Sequence, residues 1–238
     1  MFQKPGRTRR NDLEKFMSSI ENVTKFPLPA LSVQIDRLAS FGLFERAGIK
    51  ESEARAAIID CESKNDFLFT FNPSVLQAAD VIPLIKQSGK AGFIVEDLLD
   101  VESFITIPEV EIPNSSIYFV KGLDRGDAFS NWSPNEALPI LLKNGASPLI
   151  TLEGLIWTLQ VPGILERNYC FMTIGSRKFK PSGLLDPRVP ALWISNGTGR
   201  DGVDRRNAPK LGWCWAGNRH TWLGIASAQT RSANLSGL

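Results

Sequence analysis

The order of the periodic patterns along the chain constrains its fold more than any other sequence feature. Apolar residues recur at helical spacing over residues 28–41 and 51–62, near the start of the chain. Apolar runs typical of buried strands lie at Phe67–Phe71 and later at residues 169–174 and 191–195. Because helix patterns come mainly first and strand patterns mainly last, the sequence predicts an α+β fold with a mixed or antiparallel sheet.

Two further helices have clear boundaries in the sequence. Ser133 and Glu136 have the spacing of a capping box, and Pro134 lies at the first helical position. A second helix pattern begins at Thr151 and must end before Pro162, because the residue before a proline disfavours the helical conformation. Each helix would present an apolar face that can pack on the predicted sheet.

Chain length and end composition suggest how the chain is divided. A chain of 238 residues can bury roughly 70–75% of its unfolded surface, which is enough for a single large core. We therefore predict one α+β domain over residues 13–228. Residues 1–12 are predicted to be a flexible basic arm, and residues 229–238, which are polar and small, a disordered tail.

The composition excludes several classes of partner. A formal net charge of +2 is too small to indicate a nucleic acid or an anionic membrane as the partner. No apolar stretch has the length of a membrane span or follows the basic start as a secretory signal would. We therefore expect a cytoplasmic protein that binds neither membrane nor nucleic acid.

Cysteine and histidine usage excludes most metal sites. Cys61, Cys170 and Cys214 are widely separated and odd in number, which indicates reduced thiols and no disulfide framework. A single histidine cannot supply a zinc finger or a two-histidine metal helix. We predict no metal and no cofactor.

A tryptophan-rich segment near the C-terminus also holds His220, the only histidine of the chain. Gly217-Asn218 is a two-residue turn signal flanked by strand-like sequence, which predicts a C-terminal β-hairpin. That turn would pair Trp215 with His220 and Trp213 with Trp222. Because side chains alternate along a strand, these four would share one face of the hairpin.

That aromatic face has two interpretations. It is either the inner wall of the sheet, which stabilises the core, or a stacking platform for a ligand. The second interpretation describes a soluble binding or interaction protein whose partner is a small molecule or another protein. Its predicted ligand-binding residues are Trp213, Trp215, Asn218, Arg219, His220 and Trp222, with Arg188 and Arg200 as anion contacts.

Two other functions remain open at this point. In a small hydrolase or transferase, His220 would be the catalytic general base and Asp186 or Asp201 would orient it. The predicted register disfavours Cys214 as the nucleophile, because it places the thiol and the imidazole on opposite faces. In a structural homo-oligomer, the aromatic hairpin would form the core or the seam between copies.

A glycine-rich segment has the spacing of a dinucleotide-binding loop, with Gly197, Gly199 and Gly202 in the pattern Gly-X-Gly-X-X-Gly. Such a loop needs a long helix directly after it, so that phosphate can bind at the helix N-terminus. Here the following segment is short and polar and ends at Pro209. We therefore interpret the segment as a solvated hairpin loop and not as a nucleotide site.

Three stretches of the sequence resemble a family of uncharacterised actinobacterial proteins. Residues 188–195 and 209–228, the latter reading Pro-Lys-Leu-Gly-Trp-Cys-Trp-Ala-Gly-Asn-Arg-His-Thr-Trp-Leu-Gly-Ile-Ala-Ser-Ala, are similar to its C-terminal part. Residues 133–154 are similar to its middle. The resemblance implies no activity and supplies no catalytic residues, and the segment 197–207 is longer than the family pattern suggests.

Overall fold

The computed structural model describes residues 26–235 and shows an α+β fold, in agreement with the predicted class. Helices lie mostly in the N-terminal half, and strands dominate the C-terminal region. Within residues 26–235, no helix has the length and hydropathy needed to cross a membrane. The α-helices are α1 (Leu31–Ser40), α2 (Leu43–Ala47), α3 (Glu51–Ala56), α4 (Ala78–Val81), α5 (Pro134–Lys143) and α6 (Thr151–Gln160).

The strands are short and most of them pair with segments distant in sequence. In chain order they are β1 (Phe67–Phe71), β2 (Lys86–Gln87), β3 (Lys90–Ala91), β4 (Phe93–Ile94), β5 (Ile105–Thr106), β6 (Ile117–Lys121), β7 (Ser147–Pro148), β8 (Cys170–Met172), β9 (Ser176–Arg177), β10 (Arg188–Ile194), β11 (Pro209–Trp215), β12 (Leu223–Ile225), β13 (Ser227–Ala228) and β14 (Thr230–Ser232).

Two sheets carry most of the architecture. The small sheet has three antiparallel strands in the order β1, β6, β14. The large sheet is mixed and has the order β12, β8, β10, β11, β4. Its three central strands are antiparallel, whereas β12 runs parallel to β8 and β4 runs parallel to β11. Two-stranded pairings join β2 to β3, β5 to β9 and β7 to β13.

Helix α6 contacts both sheets and forms the centre of the core. All ten of its residues are buried, and it packs against β1 of the small sheet and β10 of the large sheet. The close approach to the large sheet requires Gly154, because a Cβ there would lie 2.7 Å from Thr173 Cγ2. One turn later, Trp157 packs on Phe171 of β8 with 5.8 Å between ring centroids.

Several elements agree closely with the sequence prediction. The helix predicted over residues 28–41 is α1, with Leu31, Ile35 and Leu38 fully buried, and β1 has the predicted bounds. Helix α5 begins with the predicted capping box, in which the Glu136 carboxylate accepts from the Ser133 N–H at 3.0 Å. These elements are determined by local periodicity and by local hydrogen bonds.

The predicted hairpin between the segments around Trp213 and Trp222 does not form. The chain does turn after Trp215, whose carbonyl accepts from the Asn218 N–H at 2.9 Å. However, all seven residues of β11 pair with β10, from Arg188 opposite Trp215 onward, and β12 instead pairs with β8 at the far side of β10. The prediction that Trp215 pairs with His220 is therefore wrong, because β11 forms its backbone hydrogen bonds with β10, a seven-residue strand that lies earlier in the sequence.

The predicted disordered tail is also wrong over its described part. Residues Thr230–Ser232 form β14 on the edge of the small sheet, where Arg231 lies opposite Val120. A buried ion pair between Arg231 and Glu153 stabilises this strand, and that interaction leaves no signal in the composition of the tail. The predicted basic arm at residues 1–12 lies outside the described residues.

Candidate functional site

An open pocket of about 310 Å³ lies where β8, β10 and β11 of the large sheet meet the segment that precedes β12. Three tryptophans, two cysteines and a polar rim surround it. The lining residues are Arg167, Asn168, Cys170, Trp193, Ile194, Asn196, Trp213, Cys214 and Trp222.

Strand register explains why Trp193 lies over β11. In the ladder between β10 and β11, Trp193 is opposite Lys210, and Gly212 lies two residues further along the same strand. A Cβ at Gly212 would lie 2.4 Å from Cη2 of the Trp193 ring. Glycine at this position therefore leaves the space that the indole occupies, as is typical of glycine within a strand.

The aromatic side chains form a continuous contact chain. The rings of Trp193 and Trp222 meet edge to face with centroids 6.0 Å apart, and His220 contacts Trp222 at 5.6 Å. On the other side, Lys210 Nζ lies 5.0 Å from the Trp193 centroid. Asp201 accepts two hydrogen bonds from that ammonium at 2.8 Å, which holds the cation in place over the ring.

The polar rim is organised by Arg167. Its guanidinium donates to Asn196 Oδ1 at 2.9 Å and also to the Asn207 side-chain oxygen. These two asparagines lie at opposite ends of the segment that joins β10 to β11. Asn168 follows with a left-handed backbone, φ 65°, a conformation that asparagine tolerates better than most residues. The rim therefore holds a cation and amide groups at the pocket mouth.

Two thiols form part of the pocket wall, and neither is an activated nucleophile. Burial raises the pKa of Cys170 to about 11 and that of Cys214 to about 12. Cys170 also donates a hydrogen bond to the Glu166 carbonyl at 3.2 Å. Both thiols are therefore protonated at neutral pH. Because the thiolate is the reactive form of cysteine, neither is reactive there.

Comparison with known proteins gives a family. The sequence pattern described as "Family of unknown function (DUF5701)" matches residues 37–234, most of the chain. The chain belongs to this family. No curated protein and no solved structure matches it. Every residue of the pocket lies within the DUF5701 match.

The predicted aromatic residues of this DUF5701 protein fall into two groups. Trp213 and Trp222 line the pocket, whereas His220 only contacts Trp222 from outside. Trp215 packs on Trp213 at 4.4 Å and is 45% exposed. The four therefore do not form the single platform that the hairpin predicted, because they do not belong to one strand pair.

Two of the predicted polar residues lie on the exposed turn after β11. Arg219 forms an ion pair with Glu136 at the start of α5, and Asn218 contributes its backbone N–H to the turn. Neither residue lines the pocket. In this protein, the turn therefore connects the large sheet to α5 and does not contribute to the pocket wall.

The two predicted anion contacts also lie elsewhere. Arg188 donates to Asp100 at 2.7 Å and to Asp186 at 3.1 Å, so its charge is already neutralised. Arg200 is exposed and lies 3.5 Å from Asp97. Both arginines contact the segment between β4 and β5, at Asp100 and Asp97, and neither lines the pocket.

His220 has no orienting carboxylate in the described part of the chain. Its Nε2 is buried without a hydrogen-bond partner, and burial holds the pKa of the imidazole below its usual value. Asp186 bonds to Arg188, and Asp201 bonds to Lys210 and to the Ser195 hydroxyl. The arrangement proposed for a His220 general base is therefore not assembled here.

Of the nine lining residues, only Trp213 and Trp222 were predicted as ligand contacts, and those not predicted include Trp193, Arg167, Asn168 and Asn196. Trp193 had an available signal, because Gly212 interrupts a strand pattern and such a glycine often marks the close approach of another group. Arg167, Asn168 and Asn196 had no such signal in the sequence. They reach the pocket from loops whose positions depend on the whole sheet.

Proposed function

We propose that this DUF5701 protein binds a small molecule that has a flat apolar ring, and that the ring enters the tryptophan pocket. The observation that carries the proposal is the convergence of Trp193 and Trp222, whose rings meet with centroids 6.0 Å apart, on one open pocket with a polar rim. Ligand sites are typically concave and apolar, with a few polar groups that fix orientation, and about 300–1,000 Å³ in volume. The 310 Å³ of this pocket fits a small ligand.

The degree of burial supports binding over a purely structural role for the indoles. Trp157 shows what a core tryptophan looks like in this fold, since it is only 2% exposed. The three pocket tryptophans pack against the core but remain partly exposed. Part of the Trp193 and Trp222 rings is therefore available to stack on a ligand, which is worth about 1–3 kcal/mol per ring contact.

The chemistry of the lining supports binding over catalysis. Both thiols of the wall are protonated at neutral pH, and His220 is not part of the lining. A nucleophile beside a general base, as covalent catalysis requires, is not present among the lining residues. Recognition of a ligand needs only the surfaces that the pocket provides.

A neutral fluorescent probe tests the proposal. We expect N-phenyl-1-naphthylamine to bind with a rise in its emission, and Trp193→Ala and Trp222→Ala to weaken its affinity about tenfold each, because each removes a stacking surface. Trp132→Ala is the matched control, since Trp132 packs on Phe129 at 5.6 Å and does not line the pocket. Equal affinity in all four proteins would contradict the proposal.

We also propose a cytoplasmic location and an actinobacterial origin. All three cysteines are free, which fits a reducing compartment. The origin follows from the resemblance of residues 209–228. Antibody detection in cell fractions of an actinobacterium that encodes this chain would test both, and recovery from the secreted fraction would contradict the location.

A further inference from the structure

The pocket lining is asymmetric in charge. Arg167 is its only charged side chain, and no Asp or Glu belongs to it. An aromatic cage for an organic cation would need negative or neutral groups at its mouth. The fixed guanidinium of Arg167 would instead repel a cation that the indole faces attract. The charge of the lining therefore favours a ligand that carries a negative group.

Arg167 retains hydrogen-bonding capacity toward the pocket. A guanidinium has five N–H donors, and the described contacts of Arg167 go to two asparagine oxygens. Asn196 accepts at Oδ1, which leaves its amide N–H groups available, and the Asn168 side chain has no hydrogen bond within residues 26–235. The mouth therefore has N–H donors that the described protein acceptors leave unoccupied.

The guanidinium is also held in position. Contacts to Asn196 and Asn207 fix it at two points, although the side chain is exposed. A donor fork that is already oriented loses less conformational freedom when it binds an anion than a free side chain would. Such a fork matches the two oxygens of a carboxylate in bidentate geometry.

We propose that the ligand is an aryl carboxylate, with its ring between the indoles and its carboxylate on Arg167. This inference rests on the proposed function and specifies its substrate class. The ring accounts for Trp193 and Trp222, and the carboxylate accounts for the single cation and the amide donors at the mouth. The lining has a single positive charge, which one carboxylate balances and a phosphate dianion exceeds.

A matched pair of probes separates the two levels of the proposal. We expect isothermal titration calorimetry to show that 2-naphthoate binds about tenfold more tightly than 2-naphthamide, which has the same ring without the charge. In Arg167→Gln that preference should disappear while the affinity for 2-naphthamide stays the same. Arg219→Gln, an exposed arginine outside the pocket, is the control and should retain the preference.

Each outcome has a distinct meaning. Equal binding of the two probes overturns the carboxylate assignment and leaves the pocket as a binding site. Tighter binding of 2-naphthyl phosphate than of 2-naphthoate also overturns the assignment, in favour of a phosphate. If neither naphthalene probe nor N-phenyl-1-naphthylamine binds, the proposed function itself fails. The affinity for 2-naphthamide serves as the internal check that Arg167→Gln leaves the pocket intact.

Discussion

The two main sheets use polar groups in opposite ways. In the small sheet, the Tyr118 hydroxyl donates to Glu153 at 2.8 Å, and Arg231 donates to both oxygens of the same carboxylate at 2.6 and 2.8 Å. All three residues are buried or nearly so. At the pocket of the large sheet, the rim residues Arg167 and Asn168 are exposed and keep unused donors.

This difference indicates which polar cluster is structural and which is suited to binding. A buried carboxylate must have its hydrogen bonds satisfied within the fold, since an unpaired buried charge is strongly destabilising. The Glu153 cluster is complete in that sense and leaves no room for a ligand. The pocket rim is incomplete in the described structure, and a ligand could complete it without disturbing the core.

Breaking the buried cluster should have the largest effect on stability. Arg231→Met leaves the Glu153 carboxylate without its cation, so we expect a loss of about 3–5 kcal/mol in the free energy of unfolding, measured in urea. The double variant Glu153→Gln/Arg231→Met should recover part of that loss, because the uncompensated charge is removed. A double variant that is less stable than Arg231→Met would show that the ion pair does not dominate the cluster.

Replacing a buried tryptophan should destabilise the protein more than replacing a tryptophan of the pocket, by a smaller margin than the loss expected for Arg231→Met. Trp157→Ala opens a cavity beside Phe171 in the buried core, and we expect a loss of about 3 kcal/mol or more in the free energy of unfolding. Trp222→Ala removes a partly exposed ring, for which about 1 kcal/mol is expected. Thermal unfolding monitored by circular dichroism gives the ranking. Equal losses would mean that the pocket wall is as structural as the core.

The smallest effect concerns His220, which borders the pocket. Because burial lowers the pKa of the folded imidazole, the unfolded chain binds a proton more readily once the pH falls below about 6.5. His220 therefore costs stability in acid and not at neutral pH. At pH 7.5, His220→Gln should unfold at the same urea concentration as the wild type. At pH 5.5, it should need a higher urea concentration than the wild type.

As His220 is the only histidine, the difference between the two proteins isolates one titration. A pH-independent difference between wild type and variant would show that the imidazole is not protected from protonation by its surroundings. If the charged imidazole stabilises the fold, His220→Gln would instead unfold at a lower urea concentration than the wild type at pH 5.5.

The sequence predicted those parts of the fold that depend on local interactions. Helix α1, strand β1 and the capping box of α5 depend on spacing and hydrogen bonds within a few residues, and all three are confirmed. The partner of a strand depends on competition across the whole chain. Strand β11 therefore pairs with β10, although a turn signal directly follows it.

The same physical reason limits what the sequence revealed about the candidate site. Trp213 and Trp222 were predicted, because clustered tryptophans are visible in composition. Arg167 and Asn196 approach the pocket only because Cys170 and Trp193 lie on neighbouring strands of the finished sheet. The contribution of Arg231 to the core was hidden in the same way, since its partner Glu153 lies far back in the chain.

The strand order of the large sheet has a consequence for biosynthesis. The walls of the pocket come from separate stretches, and Trp222, which precedes β12, is the last of them to leave the ribosome. A nascent chain that ends earlier lacks this wall, so the proposed ligand site is among the last parts of the molecule to be completed. Long-range pairings of this kind form slowly. The proposed site would therefore be complete only after the C-terminal strands have paired.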